Sequence, residues 1–154
     1  MKQLALPLAL LLAMACGGSG SRVISVPGKG AITVQIDPNP IRATLVSGET
    51  YAFPFEVIVR ETGGRPVNVS RVSANVTAFG GISVGRESWD EARIRSMGYS
   101  TSIGANGELR YRFAPRKAVP DDRLFGGVSA VLTVEATDDT GNPATASTTV
   151  TVTR

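Results

Sequence analysis

The residues able to do chemistry in this 154-residue chain are few, and the missing types narrow the choices further. Histidine is absent and cysteine occurs once, at Cys16, which removes the commonest general base, the usual zinc ligand sets and any intramolecular disulfide. Beyond the amino-terminal Lys2, the only lysines that could serve a serine nucleophile as base are Lys29 and Lys117, both in loop-like sequence. Carboxylates come as adjacent pairs, Asp90-Glu91, Asp121-Asp122 and Asp138-Asp139, in polar, turn-like contexts. A glycosidase needs two carboxylates facing across a cleft, one kept protonated by burial. We therefore expect no catalytic residue, no cofactor, no small-molecule substrate and no enzyme.

Three constellations suit binding instead. Asp138, Asp139 and Asn142 could offer calcium three oxygen ligands from one loop, although aspartate, asparagine and glycine are also what a tight hairpin turn requires; we expect the turn and assign no metal. Trp89 and Tyr99 could form a sugar-stacking platform, or pack a turn onto the core. Arg93, Arg95, Arg110 and Arg112, with Arg116 and Lys117 beyond them, are the nearest approach to a basic patch for anionic lipid, phosphorylated glycan or an acidic protein. The alternative is a solvated face neutralised by Glu108, Glu87 or Glu91. With 16 basic against 13 acidic residues, the net charge of +3 is too slight for a nucleic-acid footprint.

The elements that must position these residues read as strands. Ile32, Val34 and Ile36 alternate before Asp37-Pro38-Asn39-Pro40, and Tyr51, Phe53, Phe55, Val57 and Val59 continue the period of two, with Pro54 marking an edge or bulge. From Val67 to Phe79 the apolar parity switches between Val69 and Val72, which predicts a bulge near Ser70 and Arg71. Leu109, Tyr111 and Phe113 alternate with Glu108, Arg110 and Arg112, so one face is buried and the other charged. Two alternating runs flank Asp138 to Pro143 as a closing hairpin. Between the strands, Ser88-Trp89-Asp90-Glu91 has the form of a capping box, with Ala92 to Met97 as a helical turn. Asn68-Val69-Ser70 and Asn75-Val76-Thr77 match the glycosylation sequon by chance, since they fall inside a strand. The expected fold is all-β: an immunoglobulin-like antiparallel β-sandwich of about seven strands with one short helical segment, over residues 31–154.

Ahead of the sandwich, residues 1–15 carry a positive charge, an apolar run and small residues, the order of an export signal peptide. The run is too short for a membrane span. Residues 16–30 read as a compliant tether rich in glycine and serine. Ala13-Met14-Ala15-Cys16 resembles the lipobox of bacterial lipoproteins, which implies lipidation of Cys16 and attachment to a membrane. Gly17 resembles the outer-membrane class of such lipoproteins, which implies a cell-envelope protein facing periplasm or exterior. The same residues also fit an ordinary signal peptidase site, which would release a secreted protein. The stretch Val134 to Ala146 resembles the closing hairpin of bacterial immunoglobulin-like and hyalin-repeat domains. Such a domain is expected to bind an envelope protein or glycan or to serve as a structural module, with carbohydrate or calcium binding as the alternative.

Overall fold

The computed structural model describes residues 28–154. The expected signal peptide, Cys16 and most of the expected tether lie outside the described residues. Seven long strands form the sandwich, the number expected; six lie on the runs read from alternation, and the seventh, at Ser83–Asp90, does not. β1 (Ile32–Asp37), β5 (Phe55–Glu61) and β9 (Glu108–Phe113) make one antiparallel sheet in the order β1-β5-β9. β6 (Val67–Thr77), β7 (Ser83–Asp90), β11 (Ser129–Asp138) and β12 (Pro143–Thr153) make the other in the order β12-β11-β6-β7. The chain crosses from β5 to β6, returns to β9 beside β5, then crosses again to β11 beside β6. This interleaving of two sheets is an immunoglobulin-like β-sandwich.

Short strands complete it. β2 (Ile41–Arg42) runs parallel to the end of β12, and β8 (Ser102–Ile103) pairs with the start of β6. β3 (Thr44–Ser47), β4 (Thr50–Ala52) and β10 (Arg116–Ala118) form a third, small sheet at one end. Its existence corrects the single long strand expected from Tyr51 to Val59. Phe53 and Pro54 interrupt that run, because proline supplies no ladder donor, and the chain changes sheets there.

The core forms where the two alternating faces meet. Val57, Val59 and Tyr111 from one sheet and Val69, Val72, Leu132, Val134 and Val150 from the other are fully buried. Each such side chain contributes about 1.5–3 kcal/mol relative to exposure. Trp89 stacks on Phe113 at 4.1 Å between ring centroids. The predicted bulge is present: Glu135 faces Arg71 and Ala136 faces Val69, leaving Ser70 as the extra residue. Its hydroxyl donates to the Glu135 carbonyl at 3.1 Å.

The helical turn is α1 (Glu91–Ser96), but its cap is not Ser88. Residues 88–90 stay in β7, and the Asp90 carboxylate accepts from the Arg93 backbone N–H at 2.8 Å. Aspartate serves as well as serine at this position, and the strand holds Ser88 away from the turn.

Candidate functional site

One end of the sandwich is left incompletely filled. After β9 the chain passes across that end as β10 and a loop containing a 3₁₀ turn (Asp122–Phe125) before entering β11. The crossing segment is fastened to the small sheet at several points. Val119 N–H donates to the Glu49 carbonyl at 2.8 Å, and the Tyr51 hydroxyl donates to Asp122 at 2.6 Å. Phe125 meets Tyr51 edge-on at 5.1 Å. Beneath the segment lies a cleft of about 310 Å³.

Its inner walls are Phe55, Ala74, Trp89, Ala130, Leu132 and Val152, so the cleft reaches into the sandwich core. Small residues keep it open. Gly85 on β7 lines it, and a Cβ there would meet nothing within 4 Å. Val84 and Leu124 line the mouth while remaining 58% and 50% exposed. The charged residues in its lining are Arg86, Glu87 and Lys117. The Lys117 ammonium and the Glu87 carboxylate meet at 2.7 Å, tying β10 to the edge strand β7.

The described residues begin at the opposite end. Gly30 donates its N–H to the Asp138 carboxylate at 3.1 Å, and Ala31 donates to Glu61 at 3.2 Å. Asp138 stands at the far end of β11 from the cleft-lining Ala130, about 25 Å away at the rise of a strand. Both carboxylates are buried and saturated with donors. Glu61 also accepts from the N–H groups of Gly63, Gly64 and Asn106. Burial pushes its pKa up, but these N–H donors outweigh that and hold it below the usual value. In the same way burial raises Asp138, while donors from Gly30, Thr140 and Asn142 bring it well below the ordinary carboxylate range.

This geometry corrects the calcium alternative. Asp138 is filled by N–H and O–H donors, and Asn142 turns its amide N–H₂ toward it at 3.1 Å. Asp139 points elsewhere, to Arg65 at 2.9 Å. The loop is a turn whose lone pairs are already taken. Among the described residues no group of three or more acidic or cysteine side chains is placed to hold a metal ion.

The sugar platform is corrected as well. Trp89 is buried, with Phe113 on one face and the Arg93 guanidinium 5.7 Å from its ring centroid. Tyr99 is half-buried, edge-on to Tyr111 at 5.6 Å, and its hydroxyl is bonded to the backbone of Arg112.

The four arginines form two paired sets. Arg110 and Arg112 share Glu56 at 2.9 and 3.0 Å, and Arg110 also meets Glu108 at 2.7 Å. Hydrogen bonds from Arg112 and then Arg110, against the opposing effect of burial, lower the pKa of Glu56; those from Arg60 and Arg110 lower that of Glu108. Arg95 pairs with Glu91 at 2.6 Å, and Arg93 donates to the Ser88 carbonyl at 3.0 Å. The neutralising partner of Arg110 and Arg112 is thus Glu56 together with Glu108, whereas Glu91 serves Arg95 and Glu87 serves Lys117.

No family model and no curated protein matches the chain. Among solved structures it is similar to a Northeast Structural Genomics Consortium target, SoR45, at 10% identity and a TM-score of 0.53, over 83% of this chain and 90% of that one. Weaker likenesses link it to two further proteins. One is the putative ApaA protein from Bordetella pertussis, at 14% identity and a TM-score of 0.47, over 84% of this chain and 98% of that one. The other is the CARDB domain of the PF1109 protein from Pyrococcus furiosus, solved in complex with di-metal ions, at 16% identity and a TM-score of 0.40, over 82% and 90%. These likenesses are of fold.

Proposed function

We propose that this chain is a non-catalytic binding module of the bacterial cell envelope, carried on a lipid at Cys16, which holds an apolar ligand in its cleft. The observation that carries this reading is the cleft itself. Its volume of about 310 Å³ is at the lower end of ligand-pocket sizes, about 300–1,000 Å³. Apolar walls with one ion pair at the mouth are the usual make-up of such a pocket. Asp138, Trp89, Arg95, Arg110 and Arg112 are each engaged by internal partners, which supports the apolar cleft as the feature fitted to bind. An anchor ahead of Gly28 would join the domain at the end opposite the cleft.

The test is titration with N-phenylnaphthylamine, a neutral dye that brightens in apolar surroundings. Saturable brightening is expected in the native protein and its loss in Gly85→Leu, which fills the open space before β7. Equal brightening in that variant, with an unchanged melting temperature, would refute the cleft as the site. The anchor is tested separately by mass spectrometry of the mature amino terminus, where an unmodified Cys16 removes the lipid and leaves the cleft reading intact.

A further inference from the structure

Resting on the reading of the cleft as a ligand site, we infer the class of its ligand: a single-chain anionic amphiphile, its aliphatic chain between the sheets and its head at the mouth. Size sets the chain. A cavity of about 150 Å³ holds a benzene ring, or about 25 Å³ per carbon, so 310 Å³ holds about twelve carbons. One chain fits and two do not. Apart from the one indole N–H of Trp89 the inner walls offer no polar side-chain group, so a charged head buried there would lose most of its hydrogen bonds to water without replacement. The head must therefore remain at the mouth.

Charge sets the head. Of the three charged residues lining the cleft, Glu87 is already engaged by Lys117 at 2.7 Å. An ammonium has three donors, and this contact uses one. Arg86 alternates with Glu87 on the edge strand β7, so its side chain leaves from the outer face opposite Asn75, where it is exposed and has no side-chain partner among the described residues. A carboxylate or phosphate head can accept from Lys117 without displacing Glu87, and Arg86 at the strand edge adds positive potential beside it. A cationic head of the same length would meet two positive charges and one carboxylate already paired.

The experiment compares dodecanoate, lysophosphatidylglycerol, dodecyltrimethylammonium and butyrate as competitors of N-phenylnaphthylamine, all below their critical micelle concentrations. Dodecanoate is expected to displace the dye at least about tenfold more tightly than dodecyltrimethylammonium, and butyrate not at all. Arg86→Glu, at an exposed position, is expected to shrink or invert that preference without moving the melting temperature. Leu124→Glu, also exposed, provides a second variant that sets an anion at the mouth and should weaken dodecanoate. Displacement by dodecanoate alone assigns a free fatty carboxylate, and displacement by lysophosphatidylglycerol as well extends the source to phospholipid. Equal displacement by the anionic and cationic amphiphiles, with dye binding still abolished by Gly85→Leu, would overturn the head assignment and leave the cleft as the site. Dye binding insensitive to Gly85→Leu would overturn both.

Discussion

Removing one oxygen atom should make this domain more stable. The Tyr111 side chain is completely buried among Tyr99, Phe113 and the strands of both sheets, and its hydroxyl has no hydrogen-bond partner. An unsatisfied buried polar group costs about 1–3 kcal/mol, so Tyr111→Phe, which keeps the ring and its packing, should stabilise by about 1 kcal/mol. For a domain of this size that raises the melting temperature by about 4 °C. A second consequence lies at high pH. Burial pushes the phenol well above its ordinary value of 10.0. Above pH 10 the unfolded chain therefore releases a proton that the native state keeps. The stability present below that pH is lost as pH rises, by up to about 1.4 kcal/mol per unit from this group. The phenylalanine variant lacks that loss, so its advantage should widen above pH 10. Urea denaturation of both proteins at pH 7 and pH 10.5 measures each limb. A variant less stable than the parent by more than about 0.5 kcal/mol would refute the reasoning, because it would mean that the hydroxyl is satisfied, for instance by a buried water.

Other perturbations test other parts of the structure. The depressed pKa values of Glu61 and Asp138 mean that stability present above their ordinary values of 4.5 and 3.8 is lost as pH falls below them. Glu61→Gln with Asp138→Asn should flatten the acid limb of an unfolding curve followed by circular dichroism, and an unaltered limb would contradict the assignment. Asp90→Ala removes the cap of α1 and should cost about 1 kcal/mol in urea denaturation, whereas Ser88→Ala should change stability by less than about 0.5 kcal/mol. Millimolar calcium should leave the melting temperature where it was, since every approach to Asp138 is occupied by a donor; a rise of several degrees would show the turn reopening around the ion.

Much of the sandwich was legible because alternation is a property of single strands. Val128 to Ala136 and Leu109 to Phe113 carry their own inside and outside, and the parity switch around Ser70 marks its bulge without knowledge of the neighbour. The cleft was not legible, because it is built from small residues on strands far apart in the chain. Ala74, Gly85 and Ala130 are unremarkable one at a time and leave a void only when β6, β7 and β11 align. The path of residues 114–128 across the end of the sandwich depends on partners such as Tyr51 and Glu49, which no local pattern links to it. Glu61, not singled out in the sequence, and Asp138, read there only as a turn or calcium residue, both left a signal. Glu61 continues the buried parity of Phe55, Val57 and Val59, and Asp138 continues that of Leu132, Val134 and Ala136. A carboxylate on a core stripe predicts a cluster of backbone donors waiting for it. Trp89 and the arginines were legible as residues but not as contacts, since stacking on Phe113 and pairing with Glu56 are cross-strand facts.

The pair of carboxylates at the amino-terminal end also decides how the domain takes a mechanical load. A pull on the chain ahead of Gly28 meets the Arg65 guanidinium on the Gly28 carbonyl and then the N–H groups of Gly30 and Ala31, which are latched to β11 and β5 respectively. Past that point it runs along the axis of β1, whose residues from Ile32 to Asp37 are paired with β5 in register. Force along a paired strand strains its rungs together, in shear, instead of peeling them away one after another. The latches spread the same force to both sheets before β1 has moved. A pull on the amino-terminal end would thus load both sheets at the end opposite the cleft, and acid, by loosening Glu61 and Asp138, would weaken that end first.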